Sequence, residues 1–329
     1  GYARATLNMP NLAVVYGLKA RAYLWLGGLD GNYGAVVVPG QAEEISVEVP
    51  TGNDAYRKAA EYARLAIETS GAPIMSESQW CDPKTGFNSV VPSWMWASIM
   101  STDTVLNNLY AFAAHMCPEA AYGYGPLSCP GVSKLSYERL SNTDFRKNLM
   151  VNPEFDYARF KPYTQMSEAE FMALAPYTFF KFRPGQGERN DFMTANAISL
   201  PLMRVEEMYF IEMQAMCHFD EATAWNKLYE FMSYRDSNYA CLTQDLVDEI
   251  IFQKTIEFWG EGQVMFDMKR LDIGVNTAYE GNNYPADGRF EIEGRLPWWN
   301  LPLPQGEMSV NVGIKENNPN PSGGYKPVV

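Results

Sequence analysis

"EIIFQKTIEFWGEGQVMFDMKRL", residues Glu249 to Leu271, is the stretch on which the fold of this chain turns. From Thr255 to Arg270 it packs three acids, two bases and three aromatics into sixteen residues, and Gly260 and Gly262 bracket one of the acids, Glu261. Upstream, Leu246, Ile250, Ile251, Ile256 and Trp259 recur at helical spacing, so residues 244–259 read as one helix. Glu257 and Glu261 stand four apart and would share a face if that helix ran on through Gly260. A hydrolytic carboxyl pair must flank the scissile bond from opposite sides, whereas two acids on one turn converge on the same side. The more economical account has the chain turn at Gly260-Glu261-Gly262. Glu257, Glu261 and Asp267 then pair with Arg204 or Arg270 across the helices. Breaking such a buried pair costs roughly 3–5 kcal/mol, because it strands a charge. These five residues are therefore read as a structural ion network.

Outward from this stretch the chain is predominantly helical. Asn11 to Leu26 places Leu12, Val15, Leu18, Ala22, Tyr23 and Leu26 three and four apart, which predicts one buried helical face closed by Gly27-Gly28. Residues 32–50 read as a loop or short hairpin. Asn53 or Asp54 can cap a second helix that ends at Gly71, with Tyr56, Ala59, Ala60, Ala63, Ala66 and Ile67 inward. Small residues at this spacing on successive helices give a tetratricopeptide-like hairpin, with a longer connecting loop than that repeat usually has. A comparable pair follows at Leu200–Phe219 and from Asp220-Glu221 onward, its stripe formed by Met203, Met208, Ile211, Ala215 and Phe219.

Between the pairs lies an insertion dense in Pro, Gly, Tyr, Trp and Ser, with helices predicted at residues 94–116 and 167–175. Its remainder reads as ordered loop, which is where function concentrates. The expected fold is mainly α. One domain spans 1–329, divided into a helix pair at 1–71, the insertion at 72–199, and a second pair with a terminal region at 200–329.

Composition narrows the ligand. The net charge is −13 and the sequence pI near 4.7, so the basic footprint that nucleic acid requires is missing, and polyanions are disfavoured. Neutral sugars and peptides remain. Catalytic motifs are missing too: there is no G-x-S-x-G, Walker A or HExxH, and the two histidines, His115 and His218, stand apart. Five cysteines form no CxxC pair, although Cys117 and Cys129 flank a Gly/Tyr/Pro loop and could bridge. No cofactor is indicated; Asp82, Asp103 or Asp287 could hold a structural calcium with neighbouring carbonyls. The chain enters a helix soon after Gly1, as a mature form or a trimmed chain would.

Three blocks in order resemble the SusD/RagB-like outer-membrane nutrient-binding lipoproteins of Bacteroidota. "RVEEMYFIEMQAM" (Arg204–Met216) is similar to that family's R-x-A-E-x-Y-L-x-x-A-E-A helix, with Glu206 at the Ala position and Gln214 in place of the later Glu. The opening stretch resembles E-x-x-x-E-G-x-R-x-x-D-L-x-R through Glu257, Glu261, Gly262, Asp267 and Arg270, without the Arg after the E-G. "LPLPQGEMSVN" (Leu301–Asn311), followed by "NNPNPSGGY", resembles the terminal P-I-P and N-P-G-Y signatures. "GLKARAYLWLG" fits the family's A-L-x-A-R helix.

The resemblance implies a non-catalytic protein on the outer face of the outer membrane. It would be held there by an N-terminal lipid anchor that, with the family's first helix pairs, lies outside this chain. It also implies capture of glycans or oligosaccharides for a SusC-like TonB-dependent transporter, and it assigns the E-G stretch to the scaffold. Sugars meet flat aromatic faces and amide, acid or Arg hydrogen-bonding groups. In the insertion these would be Tyr122, Tyr124, Trp80, Tyr157 and Tyr163, then Phe155 and Tyr177, with Asn88, Arg183, Asn152 and Asn190 as companions. Tyr122 and Tyr124 rank first, because glycines free the backbone that presents them. The competing readings are a helical-toroid glycoside hydrolase or lyase using Glu257 and Glu261, and an interaction scaffold without a small ligand.

Overall fold

Small side chains decide how the first two helices meet. The computed structural model describes residues 4–29, 36–37, 46–47, 49–88, 91–103, 112–121, 124–296, 299–318 and 326–328. Helix α1 (Leu12–Gly27) starts where the Asn11 side chain accepts the Val14 amide proton; α2 (Gly52–Ser70) ends where Gly71 turns left-handed at φ 59°. The face that α1 buries is Ala13, Val14, Gly17, Ala20, Leu24 and Gly27, set against Ala55, Tyr56, Ala59, Ala63 and Ala66 of α2.

This is the opposite side of α1 from the one its spacing predicts: Leu12, Val15 and Leu18 are 40–56% exposed, and Ala22 faces solvent. Apart from Lys19 and Arg21 the helix is apolar, so periodicity singles out no side, and the side that permits close backbone approach wins. A Cβ at Gly17 would overlap Met203 Sδ, and one at Gly27 would enter the Tyr56 ring. The α2 N-cap is Thr51, with no side-chain cap bond, and not Asn53 or Asp54. Between the two helices a short antiparallel rung sets Val36 opposite Val47.

Two stretches that read as helical are strands. β1 (Trp94–Ser98) pairs antiparallel with β2 (Leu200–Arg204), Trp94 opposite Arg204 and Ser98 opposite Leu200. Pro201 disfavours helical backbone at Leu200, which tips that stretch toward extended structure, and Trp94–Ser98 is extended as its ladder partner. Of the helix expected at residues 94–116, Phe112–His115 is helical and 104–111 lie outside the described residues.

Helix α3 (Val205–Met216) begins as β2 ends, α4 (Glu221–Met232) begins at an Asp220 cap on the Thr223 amide, and α5 (Leu246–Glu257) at an Asp245 cap on the Asp248 amide. Arg21 pairs with Glu207, and Arg64 with Glu212 at 2.7 Å, which ties α1 and α2 to α3. His218 stacks on Tyr56, ring centroids 3.6 Å apart. The architecture is mainly helical, with tetratricopeptide-like pairs as its scaffold.

The insertion is rich in loop, with short helices set between its turns. It carries an aromatic core, in which Trp80, Phe87, Phe160, Phe171, Phe180 and Phe182 are buried together with Ile256 of α5. Short helices are pinned at their starts by capping boxes, Ser76 with Gln79 and Ser167 with Glu170.

The chain divides into two compact units, Gly1–Gly262 and Gln263–Val329, and the division falls at the second glycine of the opening stretch. In the second unit α6 (Val264–Arg270) is followed by a rung pairing Val275–Asn276 with Glu291–Ile292 and by a short helix, Gln305–Val310. Among the described residues no helix is long and apolar enough to cross a membrane.

Candidate functional site

The acids of the opening stretch close a buried ionic hub. α5 delivers Glu257 to its centre. Glu257 accepts from Arg235 Nε at 2.9 Å and Nη2 at 3.0 Å, and from Arg204 Nη1 and Arg146 Nη1 at 3.2 Å each. The chain then turns at Gly260, φ 75°, where a Cβ would strike the Phe182 ring, and this swings Glu261 back. Glu261 accepts from Arg204 Nε and Nη2, both at 3.0 Å, and from Lys181. Four bases (Arg146, Lys181, Arg204, Arg235) thus face four acids (Asp144, Glu206, Glu257, Glu261), every side chain at most 1% exposed. Rings close the hub: Arg204 lies 4.5 Å from the Phe258 centroid, and Lys181 4.8 Å from that of Phe87.

The electrostatics follow from this closure. Burial opposes ionisation of Glu257, yet the guanidiniums of Arg235 and Arg204 outweigh it and hold the carboxyl well below the usual range. Burial pushes the Glu206 carboxyl up, against the pull of Arg204 and with the help of Glu257's charge. Burial likewise lowers Lys181 to about 8, despite Glu261. Carboxyls pushed apart in this way can mark an acid and a base. Here neither has surface to offer a substrate, and every oxygen of Glu257 and Glu261 is held by a cation. Asp267 and Arg270 lie in the second unit and pair with each other at 3.2 Å. Arg146, Lys181 and Arg235 escape a reading based on spacing, because their partners are remote in sequence. The one local signal is a base set inside an aromatic run, as in "FFKF".

The rings expected to meet ligand divide sharply. Trp80 is wholly buried in the aromatic core, its ring 4.7 Å from Phe87, so it presents no face to a ligand. Tyr177 is buried as well. Phe155, Tyr157 and Tyr163 are half-buried; Tyr157 donates its hydroxyl to Met166 O at 2.8 Å with its ring against Phe171, and Tyr163 lies against Phe160. Tyr122 lies outside the described residues. Tyr124 is 46% exposed and takes the His115 ring edge-on at 5.1 Å.

The described residues on either side of Tyr124 are closely packed. A Cβ at Gly125 would overlap the Cys117 carbonyl, and the Ala121 amide donates to Arg189 O. Beneath them, buried Glu119 accepts from Arg183 Nη1 at 3.0 Å, Thr164 Oγ1 at 2.6 Å and the Gln165 amide at 2.7 Å. Arg183 is therefore the brace of this corner, and buried too deeply to meet a ligand. Asn88 is also a brace, donating to Lys84 O and to Pro184 O at 2.6 Å. Asn152 caps the Asp156 amide, while Asn190 is exposed.

Cys117 and Cys129 are unbridged, and burial pushes the Cys117 thiol up to about 12. Among the described residues no three His, Cys, Asp or Glu converge as metal ligands, and Asp82 is engaged by the Lys84 and Thr85 amides.

No protein-family model matches the chain, and no curated protein matches it in sequence. Solved structures do match in three dimensions. A SusD-like carbohydrate binding protein from Bacteroides vulgatus superposes with TM-score 0.65 at 20% identity, covering 97% of this chain and 62% of its own. A SusD superfamily protein from Bacteroides thetaiotaomicron gives 0.64 at 17% identity, covering 96% and 62%. Another from Bacteroides vulgatus gives 0.66 at 16%, covering 97% and 61%. The chain thus spans about three fifths of the length of these proteins.

Proposed function

The chain has a SusD-like fold, and from that premise we propose that it is a non-catalytic carbohydrate-binding protein of the cell surface. It captures oligosaccharide at the outer membrane, where the full-length protein is lipid-anchored, and delivers it to a TonB-dependent, SusC-like transporter. Tyr124 is the ring that meets the sugar, on the corner braced by Glu119 and Arg183. The observation that carries this reading is the fold likeness, over nearly the whole chain, to a protein described as SusD-like and carbohydrate binding. The sealed hub supports its non-catalytic part, since Glu257 and Glu261 have no access to a glycosidic bond.

Native electrophoresis through gels containing a panel of polysaccharides tests it. Retardation without release of reducing ends is the expected result. Release of reducing ends refutes it in favour of a hydrolase. Failure to bind any glycan, alongside tight association with a barrel transporter, refutes it in favour of an interaction scaffold.

A further inference from the structure

A second polar surface lies away from the Tyr124 corner. Between residues 138–147 of the insertion and residues 236–253, which lead into and along α5, a cavity of about 370 Å³ opens to solvent. That volume falls within the range of small-ligand sites, roughly 300–1,000 Å³. Its exposed rim carries Ser141, Asn142 and Asn238 beside Glu138, and its floor is buried and charged, with Lys147, Asp236 and Glu249.

The floor is braced by the protein itself. Glu249 Oε1 accepts from the Tyr239 hydroxyl and from Gln253 Nε2, both at 2.8 Å, and Oε2 accepts from Arg139 at 2.6 Å. Arg139 in turn lies 4.0 Å from the centroid of the Phe252 ring. Lys147 Nζ donates to Leu140 O at 2.7 Å, and Asp236 Oδ1 accepts the Asn238 amide proton at 2.9 Å. The floor is thus held by the protein's own hydrogen bonds, Ser141, Asn142 and Asn238 offer polar groups at the mouth, and Tyr239 and Phe252 are among the lining rings.

A row of rings leads out of it. Tyr239 meets Tyr229 edge-on at 5.3 Å, and Tyr229 lies 6.2 Å from Trp225, one turn earlier on α4. Tyr229 is 45% exposed. A cavity with hydrogen-bonding groups at the end of an aromatic row fits a chain of linked rings better than a single small molecule. The charge selects among such chains. Glu138, Asp144, Asp236 and Glu249 outnumber Arg139 and Lys147 in the lining, so acidic sugars are repelled and neutral hydroxyls are favoured.

We infer that the cavity bounded by Asn142 and Asn238, with the Tyr239–Tyr229–Trp225 row, is a second glycan subsite that takes a neutral oligosaccharide, one unit in the cavity and the next on the rings. The inference rests on the carbohydrate-binding reading but not on Tyr124.

The test is amide chemical-shift mapping of the whole chain titrated with maltohexaose, cellohexaose, xylohexaose and mannohexaose, and with an oligogalacturonate of equal length. Residues 138–147 and 229–242 should shift with at least one neutral hexaose. The exposed substitution Asn238→Trp, which fills the mouth, should abolish those shifts, and Tyr229→Ala should weaken that hexaose roughly two- to tenfold, the worth of one aromatic contact. Shifts confined to other regions, or evoked here only by the oligogalacturonate, overturn the subsite and leave carbohydrate binding standing. Silence throughout the chain with every sugar overturns both.

Discussion

Replacing Glu257 by Gln removes one negative charge from the hub while keeping the side chain's volume. The consequences for its three guanidinium partners differ. Arg146 retains Asp144 at 2.6 Å and Gln253, and Arg204 retains Glu261 at 3.0 Å and Glu206 at 3.0 Å. Arg235 fares worst. It loses the anion that takes both its Nε and its Nη2 protons and keeps the uncharged amide oxygen of the substituted side chain, the Met75 and Tyr234 carbonyls and a distant Glu206 at 3.7 Å. The expected cost is thus one stranded guanidinium, about 3 kcal/mol, rising toward about 5 for Glu257→Ala, which leaves a void as well. At roughly 2–4 °C per kcal/mol for a unit of this size, Glu257→Gln should lower the melting temperature by about 6–12 °C in circular dichroism. Adding Arg235→Met should recover part of that loss, because it removes the unpaired cation. A single mutant that melts within about 2 °C of the parent, or a double mutant whose loss is the sum of the two singles, would refute the assignment.

Tyr124→Ala should weaken glycan retardation in affinity gels and leave the melting temperature nearly unchanged, whereas Glu261→Ala should lower the melting temperature without selectively removing glycan binding. A well-folded Glu261→Ala protein lacking a hydrolytic activity that the parent shows would reverse both roles. Gly17→Val should destabilise by about 1–3 kcal/mol through overlap with Met203, read as a lower midpoint in urea. Glu257's carboxyl sits below its unfolded value of about 4.3. Its stabilisation is therefore present above that pH and is lost as pH falls through the folded value. Melting temperature should drop below about pH 4, with a shallower drop in Glu257→Gln.

Patterned stretches were legible in the sequence and unpatterned ones were not. In α2, alternating small and polar residues named the buried face almost residue by residue, with Ala59, Ala63, Ala66 and Ile67 inward. In α1 the spacing points to the wrong side, because apolar residues recur around most of the helix and the decision passes to the backbone at Gly17 and Gly27. Leu200–Arg204 reads as helix because its apolar residues abut a true helix; Pro201 is the counter-signal. Arg204, Glu257 and Glu261 could be grouped from the glycine turn, but Arg146 and Arg235 reach them only through tertiary folding. Loop-rich sequence surroundings do not by themselves leave an aromatic ring open to ligand, as the buried Trp80 shows. A glycine- and proline-rich segment can still condense around its largest ring.

The hub joins sites that are far apart along the chain. Arg146 and Lys181 come from the middle third, Arg235 and Glu257 from the helical frame, and the Met75 carbonyl from the link between them. Neither partner region can therefore peel away alone, since release of either leaves bare ions in an oily interior. Amide hydrogens around Phe145–Leu149 should exchange only through whole-unit opening, and proteases should nick the outer bends before they free the middle segment. Mutation can then reshape those bends, and whatever they grip, while the central clasp keeps the frame intact.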